Sequence, residues 1–219
     1  LGTPVTATAI SLASTSGYIQ VEPAALTATA GDINIDAAGR FYQRNSDLTA
    51  SGAISIIANG YENDGSWTTA NGGDITVASG GSVDITDAYG RNTRLWATGA
   101  IDIASANSHF VNNGIINGGG NVSIKSRTNL HNEHGALIRS RAASVSARST
   151  YGTIYNRYNA ALHAKKTVTA RSDRGHVHNH GATMHAIDAD LNITAALSVE
   201  NHTWRTTRGR PAAGRPFRA

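Results

Sequence analysis

No cysteine occurs in the 219 residues, only four residues are proline, and aromatics make up 6 %. The missing cysteine excludes a small secreted fold stapled by disulfides. Secretion itself stays open, because a chain threaded unfolded through a pore passes more easily without cross-links. Two further absences bound the class. No segment sustains a 3.6-residue apolar period, which speaks against amphipathic helices, and no apolar run is long enough for a membrane-spanning helix, so no membrane insertion is expected. No charged n-region with an apolar core precedes Leu1, and the chain is expected to be a processed or excised piece of something longer.

What is present is a palette of Ala, Ser, Thr, Asn, Ile and Val with 23 glycines. β-Branched residues pack well on a pleated surface, and Gly and Asn take turn dihedrals, so short strands joined by tight turns are favoured. Charge is divided along the chain. Residues 1–90 carry two basic groups (Arg40, Arg44) against nine acidic ones, a balance of −7, whereas residues 91–219 carry 17 against six, a balance of +11.

Self-similarity is the strongest signal. An apolar–polar–apolar strand recurs as Ala-Ile-Ser-Leu-Ala at 9–13, Asp-Ile-Asn-Ile-Asp at 32–36, Asp-Ile-Thr-Val-Ala at 74–78 and Asn-Val-Ser-Ile-Lys at 121–125. Its anchors are Ile10, Ile33, Ile54, Ile75, Ile101, Val122, Val145, Val168 and Leu191, separated by 23, 21, 21, 26, 21, 23, 23 and 23 residues. A second track ends in Asn112, Asn132, Asn156, Asn179 and Asn201, and a third passes through Ile116, Leu137 or Ile138, Leu162 and Met184. Three short strands in each ~22-residue repeat predict an all-β chain. The expected form is a right-handed parallel β-helix of about nine coils, each coil pairing with the next at ~4.8 Å. The asparagines are then expected to stack inward as a hydrogen-bonded ladder. The helix is expected over 1–203, with an insertion near 76–98 where the longest gap falls and the register is open. A basic connector or disordered tail is expected over 204–219.

Over 110–203 the sequence resembles filamentous haemagglutinin repeats, through Val-Asn-Asn-Gly-Ile-Ile-Asn, Leu-His-Asn-Glu-His-Gly-Ala-Leu-Ile and Val-His-Asn-His-Gly-Ala-Thr-Met. Residues 1–109 follow the pattern more loosely. The resemblance implies the shaft of a two-partner-secretion exoprotein, as in haemagglutinin adhesins and contact-dependent growth inhibition toxins of Gram-negative bacteria. It further implies export through an outer-membrane partner pore and a secreted or cell-surface location.

Parallel β-helices also carry polysaccharide lyases and tailspike-type depolymerases, so carboxylate pairs matter. Asp32 and Asp74 share a coil position, but Ala53 lies on the coil between them; Asp84, Asp87, Asp188 and Asp190 sit near turns. Turn aspartates in water explain all of these, and no Gly-X-Ser-X-Gly elbow occurs. No catalysis and no cofactor are expected. His176, His178 and His180 alternate and so share an outward face, while Val177 and Asn179 point inward. Same-face neighbours on a flat strand lie ~6–7 Å apart, too far for one ion, so these histidines are only weak metal candidates. The remaining ligand-binding candidates are Arg157, Lys165, Lys166, Arg171 and Arg174 with Tyr155 and Tyr158, within a basic set that includes Arg139, Arg141 and Arg148. Such a surface would attract an anionic glycan or a cell-surface receptor; nucleic acid is not an expected partner. A stand-alone polyanion-binding module is the other alternative to a shaft.

Overall fold

The computed structural model describes residues 2–87 and 92–202, and the backbone of 208–211. Among them there is no helix; the chain winds as nine coils of a parallel β-solenoid. Each coil lays down three short strands, and each strand pairs in parallel with its counterpart one coil on. The first track runs from Val5–Ala7 to the start of the long strand Thr183–Ala195, and the second from Ile10–Ser14 to the end of that same strand. The third track runs from Ile19–Val21 to Val199–His202 as a nine-stranded sheet.

All nine sequence anchors stand in one column. Ile10 opposes Ile33, Ile33 opposes Ile54, and the pairing continues without a slip to Val168 opposite Leu191. Alternation fixes this register, because a one-residue slip would turn every inward side chain to solvent. The core is therefore a set of columns running the length of the solenoid, and Ile33, Ile75, Ile101, Ile138 and Val168 are fully buried. Burying one such side chain stabilises the fold by roughly 1.5–3 kcal/mol. No coil has an apolar face without its neighbours, so the stabilisation belongs to the stack.

Corners are sharp and need small residues. The first track ends in Ala28, Ala50, Ala70, Ala97, Gly118, Ser140, Ala164 and Ala186. At the next corner Asp32 and Asp74 each accept the backbone N–H one coil on, from Ala53 and Ala100, at 2.7 Å. A Cβ at Gly99 would overlap that Asp74 oxygen, which explains glycine there. Serines close the following corner: Ser105, Ser149 and Ser172 donate to the carbonyls of Gly81, Thr128 and Gly152 on the preceding coils.

The asparagine ladder forms with one polarity. Asn112 donates to Asn132, Asn132 to Asn156, Asn156 to Asn179 and Asn179 to Asn201, at 2.7–2.9 Å. The same amides also donate to the backbone carbonyls of Ala161, Thr183 and Ala182. On earlier coils the same position holds Gln43, Asn63 and then Ile85. There Gln43 and Asn63 share a buried network with Tyr61 and Thr68: Tyr61 donates to Gln43 Oε1 at 3.0 Å, and Thr68 donates to the same atom at 2.9 Å. Burial pushes the Tyr61 phenol up to about 12 against the bonds from Thr68 and Asn63. Asn63 Oδ1 has no hydrogen-bond partner among the described residues, a cost of about 1–3 kcal/mol.

The longest gap leaves the register intact. Val83–Thr86 pairs with strands on both neighbouring coils, and so does Arg94–Ala97, so the extra residues fall between Thr86 and Arg94 in the sequence. Trp96, read in the sequence as part of the insertion, lies in a strand with the Arg141 guanidinium 4.8 Å from its ring centroid. Tyr89, Gly90 and Arg91 lie outside the described residues. Within the expected tail, Arg208–Pro211 forms a further strand paired with the long strand Thr183–Ala195, opposite His185, Asp190 and Leu191. The physical reason is that the ninth coil presents an unpaired strand edge, which any extended chain can join. The rest of the tail lies outside the described residues.

Candidate functional site

Chemistry-bearing side chains concentrate on the outer face of the third track, in the later coils. Strand alternation sends Val111, His131, Tyr155, His178 and Glu200 outward in one column. His109 and His176 lie on the N-terminal side of that column, and Arg157, His180 and His202 on the other. The rings stack along the solenoid. His131 lies 4.8 Å from Tyr155 at 23°, Tyr155 lies 5.4 Å from His178, and at the corner His134 lies 5.1 Å from Tyr158 at 18°. Tyr158 has φ of +59° and Asn159 +64°. For a bulky tyrosine this left-handed backbone is an uncommon conformation that costs about 1 kcal/mol or more, held here by its packing.

Arg157 ties the cluster together. Its guanidinium carbon lies 4.6 Å from the Tyr155 ring centroid and 5.2 Å from that of Tyr158, and it pairs with Glu133 at 2.7 Å. A shallow groove of about 420 Å3 is lined by His109, His131, Glu133 and Arg157. Burial acts to raise the Glu133 pKa, but hydrogen bonds from His131 and Arg157, with their charges, outweigh it and hold the carboxyl below its ordinary range. A depressed carboxylate stabilises the fold above its unfolded pKa, and that contribution is lost as pH falls through the folded value. Glu133→Gln is therefore expected to lower stability at pH 7 and to flatten the acid limb below pH ~4.5. Urea midpoints measured from pH 7 to pH 3 check this; an unchanged acid limb would contradict it.

The sequence-predicted cations do not form one stripe. Arg157, Tyr155 and Tyr158 come together as described. Lys165 and Lys166 stand at the corner between the first and second tracks, Lys165 lying 3.7 Å from Asp188. Arg171 stands on the second track, in register with Arg148 and Lys125. Asp173 binds both Arg148 and Arg171. Burial acts to raise the Asp173 pKa, but those bonds keep it low. Arg174 packs on Tyr151 at 4.7 Å, and Arg127 packs on the same ring at 4.9 Å. These positive groups encircle the later coils instead of lining one face.

On the first track His163 and His185 stack at 5.0 Å, in a column that includes Arg139. Burial, then His185, then Arg139 lower the His163 pKa. His176 and His178 meet edge to face at 5.4 Å, and the third group beside them is Glu200 of the next coil, not His180. His180 faces His202 at 5.5 Å. Glu200 is the residue that sequence reasoning passed over, although the 22-residue offset from His178 to Glu200 matches the coil length and places it directly alongside.

The chain matches no family model, no curated protein and no solved structure. Its functional reading therefore rests on the solenoid and on the columns it displays.

Proposed function

We propose that the chain is a shaft segment of a large secreted, cell-surface exoprotein that serves adhesion or contact-dependent competition, and that it is not an enzyme. The observation that carries this is the uninterrupted register of nine coils from Ile10 to Leu191, which makes a stiff spacer. Support also comes from the likeness of 110–203 to filamentous haemagglutinin repeats, which implies passage through an outer-membrane secretion pore. Asp32 and Asp74 are tied to backbone N–H groups, which disfavours a catalytic pair among them. The stacked rings and encircling cations of the later coils suit contact with an anionic glycan, since tyrosine faces pack on sugar rings and cations meet sulfate or phosphate.

Two measurements test this. Protease shaving of intact source cells should remove the protein; full protection inside the cell would overturn the surface assignment. Labelled chain should bind intact bacterial or animal cells saturably. At 0.5 M salt, or with Lys125, Lys165, Lys166 and Arg174 all replaced by Glu, binding should fall at least tenfold, because exposed charges are screened. These four substitutions spare the Glu133 and Asp173 pairs. Absence of binding at low salt would remove the adhesive role and leave a passive spacer.

A further inference from the structure

We propose that His176, His178 and Glu200 bind a divalent transition metal ion of the zinc class, clamping the eighth coil to the ninth. The inference is independent of the shaft assignment. One potential ligand atom from each residue lies within 4.8 Å of the others. His178 Nδ1 is already 3.2 Å from Glu200 Oε2. Ligands of a tetrahedral ion with ~2.0–2.1 Å bonds stand about 3.4 Å apart, so this pair has the required separation. His176 has to close the remaining gap, by roughly 1 Å or so on that same geometry. It is half-buried on the outer face, and its two side-chain torsions can supply the movement.

A second observation points the same way. Ser198 lies 2.6 Å from His176 Nδ1 and donates to Glu200 Oε1 at 3.3 Å. With its own proton on the carboxylate, the hydroxyl accepts from Nδ1–H, which leaves the lone pair of His176 on Nε2. A side chain that fixes the tautomer of one ligand while holding another is the usual outer support of a metal site. His202 Nε2 lies 3.9 Å from Glu200 Oε2, the oxygen beside His178, and is an imidazole able to add a fourth ligand. Two imidazoles and one carboxylate suit zinc, copper or nickel and are a poor set for calcium or magnesium, which take oxygen donors.

The position gives the ion a role. Leu191, Ile193 and Val199 of the ninth coil are only partly buried, so this coil has the weakest apolar hold of the later ones. Terminal units of a solenoid open first. An ion held by His176 and His178 on one coil and Glu200 on the next bridges the joint where fraying starts. It also lies beside the Tyr155 ring, so loading the site orders the end of the aromatic column.

The experiment is calorimetric titration of the untagged full chain with zinc chloride, with magnesium and calcium chloride as comparison ions, together with hydrogen exchange of 191–202. Saturable binding of one zinc per chain is expected, with no saturable heat from magnesium or calcium, and slower exchange at 199–202 when zinc is bound. His178→Ala and Glu200→Gln should each weaken zinc binding at least tenfold. Ser198→Ala should weaken it by about tenfold, and His163→Ala, on the first track, should leave it unchanged. Apo melting temperatures of all variants confirm that each is folded. Zinc affinity unchanged in both His178→Ala and Glu200→Gln, or no saturable binding by 1 mM zinc, would overturn the proposal.

Discussion

Asn156→Ala is expected to lower the unfolding free energy by about 3–5 kcal/mol, at ~1–3 kcal/mol for each buried polar group left unpaired. Asn156 accepts from Asn132 Nδ2 and donates to Asn179 Oδ1 at 2.7 Å and to the Thr183 carbonyl at 3.0 Å. Removing the amide orphans the Asn179 oxygen in the interior and the half-buried Thr183 carbonyl. Asn132 suffers less, since its Nδ2 also donates to the Ala161 carbonyl. The lost side chain adds a cavity, because backbone pairing on both sides holds the walls apart. Asn112→Ile is the informative comparison. Asn112 ends the ladder, it donates to Asn132 and accepts from Gly114 N–H, and the coil before it carries Ile85, fully buried, at the same position. An apolar side chain is therefore accommodated there, and its cost should be about half that of Asn156→Ala. Urea denaturation followed by circular dichroism at pH 7 measures both. Losses below ~1 kcal/mol for Asn156→Ala, well under the range for an orphaned acceptor, would mean that the ladder amides find other partners and specify nothing.

Fold and ladder were legible for the same reason: a solenoid repeats its environment at every coil, so the residue types repeat too. Nine β-branched or leucine anchors at 21–26-residue gaps reflect one backbone path. The late asparagines were visible because their identity is preserved, whereas Gln43, Asn63 and Ile85 hold the same position under three different names. That change concealed the Tyr61 network, which depends on Thr68 entering an otherwise apolar column. Surface chemistry was harder to read. Lys165, Arg171 and Arg174 are close in sequence, yet the chain turns two corners between them and distributes them around the coil. For His176 and His178, flat-strand spacing and the preceding coil, which offers Tyr155 and Arg157, both argue against a shared ion. Both leave out Glu200, which register supplies from the next coil at 3.2 Å.

Phe41→Ala should cost about 3–5 kcal/mol, the range for a buried phenylalanine. Phe41 is fully buried, and it stacks on Tyr61 of the next coil at 5.6 Å and 5° between planes. The column that contains them runs Ile19, Phe41, Tyr61, Val83, so the two rings stand next to each other between smaller side chains. Truncation leaves a void between Ile19 and Tyr61. Tyr61 cannot slide in to fill it, because its hydroxyl is bonded to Gln43 and receives a bond from Asn63. Nor can the coils close up, since strand pairing fixes their spacing at ~4.8 Å. The cavity therefore persists, and its cost scales with its volume. Phe41→Leu should cost only ~1–1.5 kcal/mol: Leu130 occupies the same column opposite Phe110, so the site tolerates a smaller apolar group. Urea denaturation of both variants decides the matter. Equal losses would show that the Tyr61 stack contributes more than the filled volume, whereas a small loss for alanine would mean that the Gln43–Tyr61 network yields and the interior around the second coil repacks.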